Sequence, residues 1–274
     1  MKIVAYSALL YGSEFLECAI KSVLDVVDEY WVIYSPLGCH NGSKPVQLPE
    51  GEDARTLFEI AHDTAGKRLH WYTDANGWSS EGQQRDMIFK LAPDADRIVA
   101  LDADEIWSPG LVDAVVRASA SKPDVRDWRV PMIHLWRDLH HAILHDPAYP
   151  IRVINPHAPA GTSATFDAEA HDAAKRELLT RTMEYVPEFH SRIVHAGYAI
   201  SPELMRAKWS GTHGHQNELR KDIDWFTERY ENPKATRDLH PVGSEWWNAE
   251  PIEPFVYLPQ YMADHPRMAE RAAA

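Results

Sequence analysis

Apolar side chains follow two different spacings along the first hundred residues, and each spacing predicts one kind of element. From Glu14 to Val27 they recur at i, i+3, i+4 and i+7, which is the spacing of an amphipathic helix. Ser13 precedes this segment and is a predicted N-cap, because its hydroxyl can accept a hydrogen bond from the first helical turn. Short runs rich in β-branched and aromatic residues predict strands at 2–7, 29–34, 69–72 and 97–101.

Two more helices are predicted between these strands, at 53–65 and at 81–92, the second behind Ser80. The elements then alternate as β-α-β-α-β-α-β over about 100 residues, which predicts an α/β fold with a mostly parallel central sheet flanked by helices. Ligands bind beyond the carboxyl ends of the strands in such sheets. The sequence LDADE, at 101–105, lies at one of these ends.

The second half shows a less regular pattern. One helix is predicted at 109–121, and another begins behind Ser201. Strands are predicted at 128–136 and 149–155, and the segment 189–199 is predicted to be a strand followed by a turn. The first two of these strands are expected to form a hairpin-like return through a long loop.

Composition and charge restrict the kinds of partner and of cellular setting that we expect for this chain. The chain has 274 residues, 45% of them hydrophobic and 25% charged, as in ordinary globular proteins. Its 28 Lys and Arg against 41 Asp and Glu give a net charge of −13, a field that does not attract DNA. Two cysteines, Cys18 and Cys39, make no disulfide framework, so we expect a reducing, cytoplasmic setting. The first residues predict a strand rather than a signal peptide, and no apolar stretch has the roughly 18 residues of a membrane span.

The motif LDADE suggests a binding site for a hard cation. Side chains alternate along an extended chain, so Asp102 and Asp104 point the same way and repel each other unless a cation or a donor lies between them. Divalent Mg²⁺ and Mn²⁺ prefer oxygen ligands and accept one or two carboxylates together with phosphate oxygens. The alternative is a solvated acidic turn.

Four segments carry a resemblance to a known family. They are IVAYSALLYGSEFLECAIKSVLDVVDEYWVIY, EGQQRDMIFKLAPDADRIVALDADEIW, RIVHAGYAISPELMRAKW and EPFVYLPQYMADHP. Together they resemble the glycosyltransferases of the GT-A fold, in particular the family-2-like group from bacteria and bacteriophages. Residues 1–108 match best, and LDADE preceded by QQRD is the most specific part.

The resemblance implies a Rossmann-like GT-A fold and a metal-dependent transferase, which moves a sugar from a nucleotide diphosphate sugar to an acceptor hydroxyl. It implies Mn²⁺ or Mg²⁺ as the metal and a UDP-sugar as the expected donor. It also divides the chain into a nucleotide-sugar-binding half at 1–108, an acceptor-binding half of the same domain at 109–232, and a C-terminal extension rich in Pro and Trp at 233–274.

Carried over by position, the resemblance gives roles to the acidic motif and to late histidines. Asp104 would bind the metal directly, and Asp102 would contact the ribose or the metal. A late histidine would complete the metal shell, and His215 is the chosen candidate, with His213 as its neighbour. His195 is a further candidate.

The same resemblance implies the residues that bind the nucleotide. Arg85 would approach the diphosphate or the first Asp of the motif, and Lys208 would pair with the leaving diphosphate. The loop of Ala5, Tyr6 and Ser7 would line the nucleobase pocket, where Tyr6 offers a stacking face.

One departure from the family concerns the acid that usually follows the second strand. Here Ser35 stands at that place, with the side chain of Asn41 as an alternative. The role of Glu105 also stays open, between a supporting contact and a charge at a helix N-terminus.

The catalytic base depends on the stereochemical outcome. An inverting enzyme needs a base near the acceptor hydroxyl, and Asp138 is the candidate, with Asp146 and Asp172 as rivals. A retaining enzyme needs no such base. Three tryptophans on predicted strand-end loops suit either sugar stacking or core packing: Trp78, Trp107 and Trp136.

Other functions remain alternatives. One is a different metal-dependent nucleotide-binding enzyme, such as a nucleotidyltransferase, and another is a non-catalytic nucleotide-sugar-binding domain. A phosphohydrolase is disfavoured because the first strand ends without an acid. The expected acceptor is a saccharide or a hydroxymethylated base of phage DNA, in which case the setting is the host cytoplasm. The net charge of −13 argues against DNA.

Overall fold

The structure is a computed structural model, and it describes residues 1–36, 47–74, 77–78, 80–144, 149–158, 183–185, 192–210, 224–242 and 247–269. Within these ranges, no helix has both the length and the apolar character that crossing a membrane requires.

Twelve strands and seven α-helices lie in the described ranges. The strands are β1 Ile3–Leu9, β2 Glu29–Tyr34, β3 Leu69–Thr73, β4 Arg97–Ala100, β5 Glu105–Trp107, β6 Asp127–Arg129, β7 Met132–Trp136, β8 His141–Ile143, β9 Ile151–Ile154, β10 Met183–Tyr185, β11 Ile193–Tyr198 and β12 Glu250–Pro251. The helices are α1 Ser13–Leu24, α2 Ala54–Ala65, α3 Glu81–Asp86, α4 Ile88–Leu91, α5 Leu111–Ser121, α6 Pro202–Lys208 and α7 Pro254–Tyr257.

The larger sheet has seven strands in the order β10-β6-β9-β4-β1-β2-β3. Strands β3, β2, β1 and β4 are parallel, while β9 is antiparallel to both β4 and β6. Helices α1 and α2 connect the first three parallel strands, as a parallel sheet requires. The predicted fold class, a mostly parallel sheet flanked by helices, is confirmed.

The smaller sheet has five strands in the order β12-β8-β7-β11-β5. Its edge strand β5 begins at Glu105, directly after the acidic motif, and pairs antiparallel with β11. The motif therefore connects the end of β4 in one sheet with the start of β5 in the other. The sequence analysis did not predict β5, because its three residues are too few to show a period.

Two predicted elements are divided in the structure. The segment 128–136 is two strands in different sheets, because Val130 and Pro131 break it and Pro cannot donate to a ladder. The predicted return is confirmed for β6, which pairs with β9. The predicted helix at 81–92 is the pair α3 and α4, and Ser80 caps α3 by accepting from the backbone N–H of Gln83 at 3.1 Å.

The C-terminal segment packs against α1. Met262 is fully buried, and the carbonyl of Tyr261 accepts a hydrogen bond from Sγ of Cys18 at 3.1 Å. The ring of His265 stacks on Phe15 with 4.4 Å between centroids. This segment therefore supports the helix whose first turn reaches the cavity described below.

The N-terminus of α1 is held by a distant carboxylate. The prediction that Ser13 caps this helix is wrong: Gly12 precedes the helix, and Ser13 is its first residue. Glu52 instead accepts hydrogen bonds from the backbone N–H groups of Gly12 at 2.6 Å and Ser13 at 3.1 Å, and from the Ser13 hydroxyl at 2.6 Å. A buried carboxylate at this position satisfies helix donors and complements the helix dipole.

We expect Glu52→Gln to lower the free energy of unfolding by about 2 kcal/mol, because hydrogen bonds to a charged acceptor are lost at a buried helix end. Urea unfolding monitored by circular dichroism would measure the change. Glu50→Gln is the matched control, because Glu50 lies exposed in the same loop and should change stability by less than about 0.5 kcal/mol. Equal stability of the two variants would show that Glu52 does not hold the helix.

Candidate functional site

A cavity of about 300 Å³ opens beyond the carboxyl ends of β1 and β4. Residues 8–12, which are the last residues of β1 and those that follow it, line one side of the cavity. Asp102 and Asp104 line it as well. His195 from the middle of β11 and Lys208 from the end of α6 complete it from the second half of the chain. The cavity thus lies at the ligand-binding edge of a parallel sheet, as predicted.

Helix α3 brings Arg85 to this cavity. The side-chain amide of Gln84 donates to the backbone carbonyls of Leu9 at 3.2 Å and Ile33 at 2.6 Å, and so fixes the helix against the ends of β1 and β2. The next residue, Arg85, places Nη2 2.7 Å from Oδ1 of Asp102. Its guanidinium also pairs with Glu81 one helical turn earlier.

Asp102 joins two guanidinium groups. Arg85 contacts Oδ1 of Asp102, and Nη2 of Arg152 donates a hydrogen bond to Oδ2 of Asp102 at 3.1 Å. Burial opposes ionisation of Asp102, but the two arginines outweigh it and lower its pKa to about 2. Asp102 is therefore ionised, and its negative charge is balanced by two cations of the chain itself.

Arg152 also holds Glu105. Its Nε and Nη2 donate to the two carboxylate oxygens of Glu105 at 2.7 and 2.5 Å, a bidentate pair. Burial raises the pKa of Glu105, and the positive charge of Arg152 lowers it by a smaller amount. The open role of Glu105 is thus answered by geometry: it is a buried partner of Arg152 at the start of β5.

The sequence analysis missed Arg152. Strand β9 was predicted, but only its antiparallel pairing beside β4 carries Arg152 to the acidic motif, 50 positions earlier in the chain. One signal was available. Three neighbouring carboxylates need cationic partners, and a lone Arg inside the apolar segment YPIRVIN is an unusual place for a surface charge.

Asp104 faces a second pair of groups. Lys208 Nζ lies 3.7 Å from its Oδ2, and Nε2 of His195 lies 3.7 Å from its Oδ1. Burial lowers the pKa of Lys208, but Tyr11 and Asp104 outweigh it and raise the pKa above its usual value, so the ammonium stays charged. Burial lowers the pKa of His195 to about 3, so its imidazole is neutral.

Gly197 lets Asp104 and His195 approach the backbone closely. A Cβ on this residue would stand 2.5 Å from Nε2 of His195 and 2.6 Å from Oδ2 of Asp104, closer than carbon approaches either atom. Its carbonyl also accepts a hydrogen bond from Nζ of Lys208 at 3.2 Å. Glycine at this position therefore lets the carboxylate and the imidazole converge.

The residues around Asp104 suit a divalent cation better than those around Asp102. Among the residues that the structure describes, no three His, Cys, Asp or Glu side chains are grouped as a metal site. The pair of Asp104 and neutral His195 nevertheless offers one oxygen and one nitrogen donor 3.7 Å apart at the cavity. One or two protein ligands plus phosphate oxygens are a common arrangement for Mg²⁺ and Mn²⁺. Both oxygens of Asp102, in contrast, contact arginines.

Several predicted nucleotide contacts are buried in the structure. Ala5, Tyr6 and Ser7 have no exposed surface, and Ser35 has none either. The hydroxyl of Ser7 contacts that of Tyr30 at 2.7 Å. The cavity wall is formed instead by the residues that follow, 8–12. A contact of these four residues with a nucleotide stays a prediction.

Asp138 lies after β7 and is 2% exposed. Its carboxylate accepts from the backbone N–H of His140 at 2.9 Å and contacts Nδ1 of His141 at 3.0 Å. Within the described part of the chain, it is not among the residues that line the cavity. Its role as a general base stays a prediction.

Other candidates fall outside the site or outside the described residues. Trp107 and Trp136 belong to the core, and Trp78 packs beside Tyr72. The remaining candidates, His213, His215, Asn41, Asp146 and Asp172, lie outside the described residues.

Comparison with known proteins gives neither a family model nor a curated protein that matches the chain. Among solved structures, glucosyl-3-phosphoglycerate synthase from Mycobacterium tuberculosis, in complex with Mn²⁺, UDP and phosphoglyceric acid, is 19% identical, with a TM-score of 0.32; the match covers 48% of this chain and 43% of that one. TarS from S. aureus is 9% identical with a TM-score of 0.40, covering 82% of this chain and 76% of that one. The synthase of 4-diphosphocytidyl-2C-methyl-D-erythritol from Anaerococcus prevotii is 10% identical with a TM-score of 0.40, covering 76% and 97%. These similar structures include nucleotide-diphospho-sugar transferases and related nucleotidyltransferases.

We expect Asp102→Asn to lower the free energy of unfolding by about 2 kcal/mol, because two guanidinium groups lose a charged acceptor. Chemical denaturation in the presence of a chelator would measure this. Asp113→Asn is the control, since Asp113 pairs with Arg117 on an exposed helix face and should cost less than about 0.5 kcal/mol. A loss of the same small size in both variants would contradict the bridging role of Asp102.

Proposed function

We propose that the chain is a metal-dependent glycosyltransferase that moves a sugar from a nucleotide diphosphate sugar to an acceptor hydroxyl. The observation that carries the proposal is one convergence of side chains. Cationic Arg85 pairs with Asp102 and cationic Lys208 lies 3.7 Å from Asp104, at the ligand edge of a parallel sheet, with neutral His195 beside Asp104.

The charges suit a diphosphate held beside a cation. Lys208 is 6% exposed and lines the cavity, so its ammonium can meet an anion in a partly desolvated setting where charge interactions are strong. Arg85 keeps its guanidinium at the cavity through Asp102 and Glu81. The backbone N–H groups of Gly12 and Ser13, at the N-terminus of α1, could also bind an anion near the cavity, but they already donate to Glu52.

Asp104 and His195 would hold the divalent cation. When bound, the cation neutralises part of the charge on the leaving diphosphate. In the reaction, the bond between the anomeric carbon and the β-phosphate oxygen breaks, and the diphosphate leaves with the electron pair. The anomeric carbon then bonds to the acceptor oxygen, whose proton passes to a base. Arg85 and Lys208 stabilise the developing negative charge from fixed positions.

Binding of metal and nucleotide tests the proposal first. We expect Mn²⁺ together with one of UDP, GDP or CDP to stabilise the wild-type chain by about 2–3 kcal/mol at 100-fold excess over the dissociation constant. UDP is the expected partner. Thermal unfolding with the metal alone, the nucleotide alone and both would measure this, and the absence of a shift with every nucleotide would refute the proposal.

Two substitutions separate the roles within the cavity. Asp104→Asn should abolish Mn²⁺ binding, because it removes the anionic ligand. Lys208→Met should leave Mn²⁺ binding in place and weaken nucleotide binding at least about tenfold, because a buried charge-assisted contact is lost. Titration calorimetry measures both affinities, and Asp113→Asn is the control that should change neither. Normal Mn²⁺ binding by Asp104→Asn would show that Asp104 is not a metal ligand.

Product analysis separates a glycosyltransferase from a nucleotidyltransferase. With a labelled nucleotide sugar, the proposed enzyme releases a nucleoside diphosphate and places the sugar on an acceptor. A nucleotidyltransferase would instead release pyrophosphate from a nucleoside triphosphate and a sugar phosphate. Formation of pyrophosphate without any sugar transfer would replace the proposed function by that alternative.

The acceptor is expected to be a saccharide, because a net charge of −13 disfavours DNA. Transfer of labelled sugar to a saccharide array and to DNA that contains hydroxymethylated bases would test this. Transfer to the DNA alone would overturn the expectation and retain the proposed reaction.

A further inference from the structure

Two histidines meet edge to edge behind the cavity. His134 on β7 is the register partner of His195 on the parallel strand β11. Their Nδ1 atoms are 2.8 Å apart, and the ring planes cross at 86°. The ring centroids are 4.9 Å apart. Two imidazole rings whose Nδ1 atoms are 2.8 Å apart can have centroids this far apart only when each nitrogen points toward the other ring. The contact is therefore a well-aligned hydrogen bond.

This hydrogen bond selects a tautomer of His195. A neutral imidazole carries one N–H, on either Nδ1 or Nε2. If Nδ1 of His195 donates to His134, Nε2 keeps its lone pair toward Asp104. If Nδ1 accepts instead, Nε2 carries the hydrogen toward Oδ1 of Asp104, which at 3.7 Å is beyond hydrogen-bond distance. A cation between Nε2 and Asp104 favours the first arrangement, because it binds the lone pair and separates it from the carboxylate.

The surroundings of His134 hold its ring in place. It is 7% exposed, and its ring lies 4.6 Å from that of Trp247 between centroids. Tyr198 packs at the edge of both histidine rings. Within the described residues, His134 does not line the cavity, so any effect on a ligand there passes through His195.

We propose that His134 is a positioning residue: it accepts the Nδ1–H of His195 and thereby presents the unprotonated Nε2 of His195 to the cavity as a ligand for the divalent cation. This inference rests on the proposed function, because that function supplies the cation. It goes further by naming the group that fixes the ligand. A group that hydrogen-bonds the other nitrogen of a metal-binding imidazole holds both its tautomer and its orientation, and loss of such a group costs about 10- to 100-fold in metal affinity.

Two substitutions of His134 separate hydrogen bonding from packing. His134→Phe keeps a ring against Trp247 but removes the acceptor. His134→Asn keeps an acceptor, since its amide oxygen is as many bonds from the backbone as Nδ1 of histidine. We expect the dissociation constant for Mn²⁺ to rise at least about tenfold in His134→Phe and to stay within about threefold in His134→Asn. Electron paramagnetic resonance of free Mn²⁺ measures the dissociation constants of both full-length variants and requires no activity assay.

Two outcomes would overturn the inference. One is wild-type Mn²⁺ affinity in His134→Phe. The other is an equal loss in both variants, which would make the contribution of His134 purely steric.

The tautomer itself gives a second test, made with saturating diamagnetic Mg²⁺, that does not depend on the stability of any His134 variant. Long-range ¹H–¹⁵N correlation spectra of the wild-type chain distinguish protonated from unprotonated ring nitrogens, and His195→Gln assigns the resonance. We expect the Nδ1–H form of His195. Finding the Nε2–H form would refute the inference even if the variants fail to fold.

These experiments keep the two proposals apart. If the wild-type chain binds no Mn²⁺, the proposed function fails in its metal requirement, whatever the tautomer. If the wild-type chain binds Mn²⁺ and Asp104→Asn does not, the proposed metal site stands. The response of His134→Phe and the His195 tautomer then decide the present inference alone.

Discussion

The carboxylate of Asp102 lies between two guanidinium groups that come from different parts of the chain. Arg85 reaches it from α3, and Arg152 reaches it from β9, which pairs antiparallel with β4. Without these cations, three acids crowded at the end of an apolar strand would repel each other and face a large cost of burial. The ion network therefore allows the chain to leave β4 of the larger sheet and begin β5 of the smaller one through an acidic turn.

This charge balance divides the acidic motif into two functions. Asp102 and Glu105 are satisfied by arginines and hold the connection between the sheets. Asp104 faces the cavity with Lys208 and His195 at 3.7 Å, beyond hydrogen-bond distance. A motif that looks uniform in sequence thus combines a structural ion pair and a candidate binding group, because its neighbours differ in charge.

Local patterns predicted the first half of the fold well. Strands β1 to β4 and helices α1 and α2 lie within a few residues of their predicted positions, because their apolar periods span enough residues to be distinct. Shorter elements were missed or merged. Strand β5 has three residues, and the predicted strand 128–136 divides at Pro131 between two sheets. Such short segments take their structure from pairing partners rather than from their own pattern.

The candidate site was predicted only in part, for a related reason. Asp104, Lys208 and Arg85 line the cavity, and the roles that the sequence analysis gave them stay predictions. The contacts of Arg152 and His134 were not predicted, because each depends on which strand lies beside which: Arg152 joins the motif through β9, and His134 meets its partner through β7 and β11. A single sequence carries no direct record of strand order in a sheet.

The sequence by itself determined the alternation of strands and helices, the position of an acidic motif at the end of a buried strand, and the residue types available for binding. These follow from side-chain period and local chemistry, which are properties of neighbouring residues. Tertiary structure alone decided which acid is neutralised, which one faces the cavity, and which histidine stands beside it. Those outcomes depend on distances between groups far apart in the chain, such as Asp102 and Arg152, and folding brings such groups together through strand pairing that no local pattern specifies.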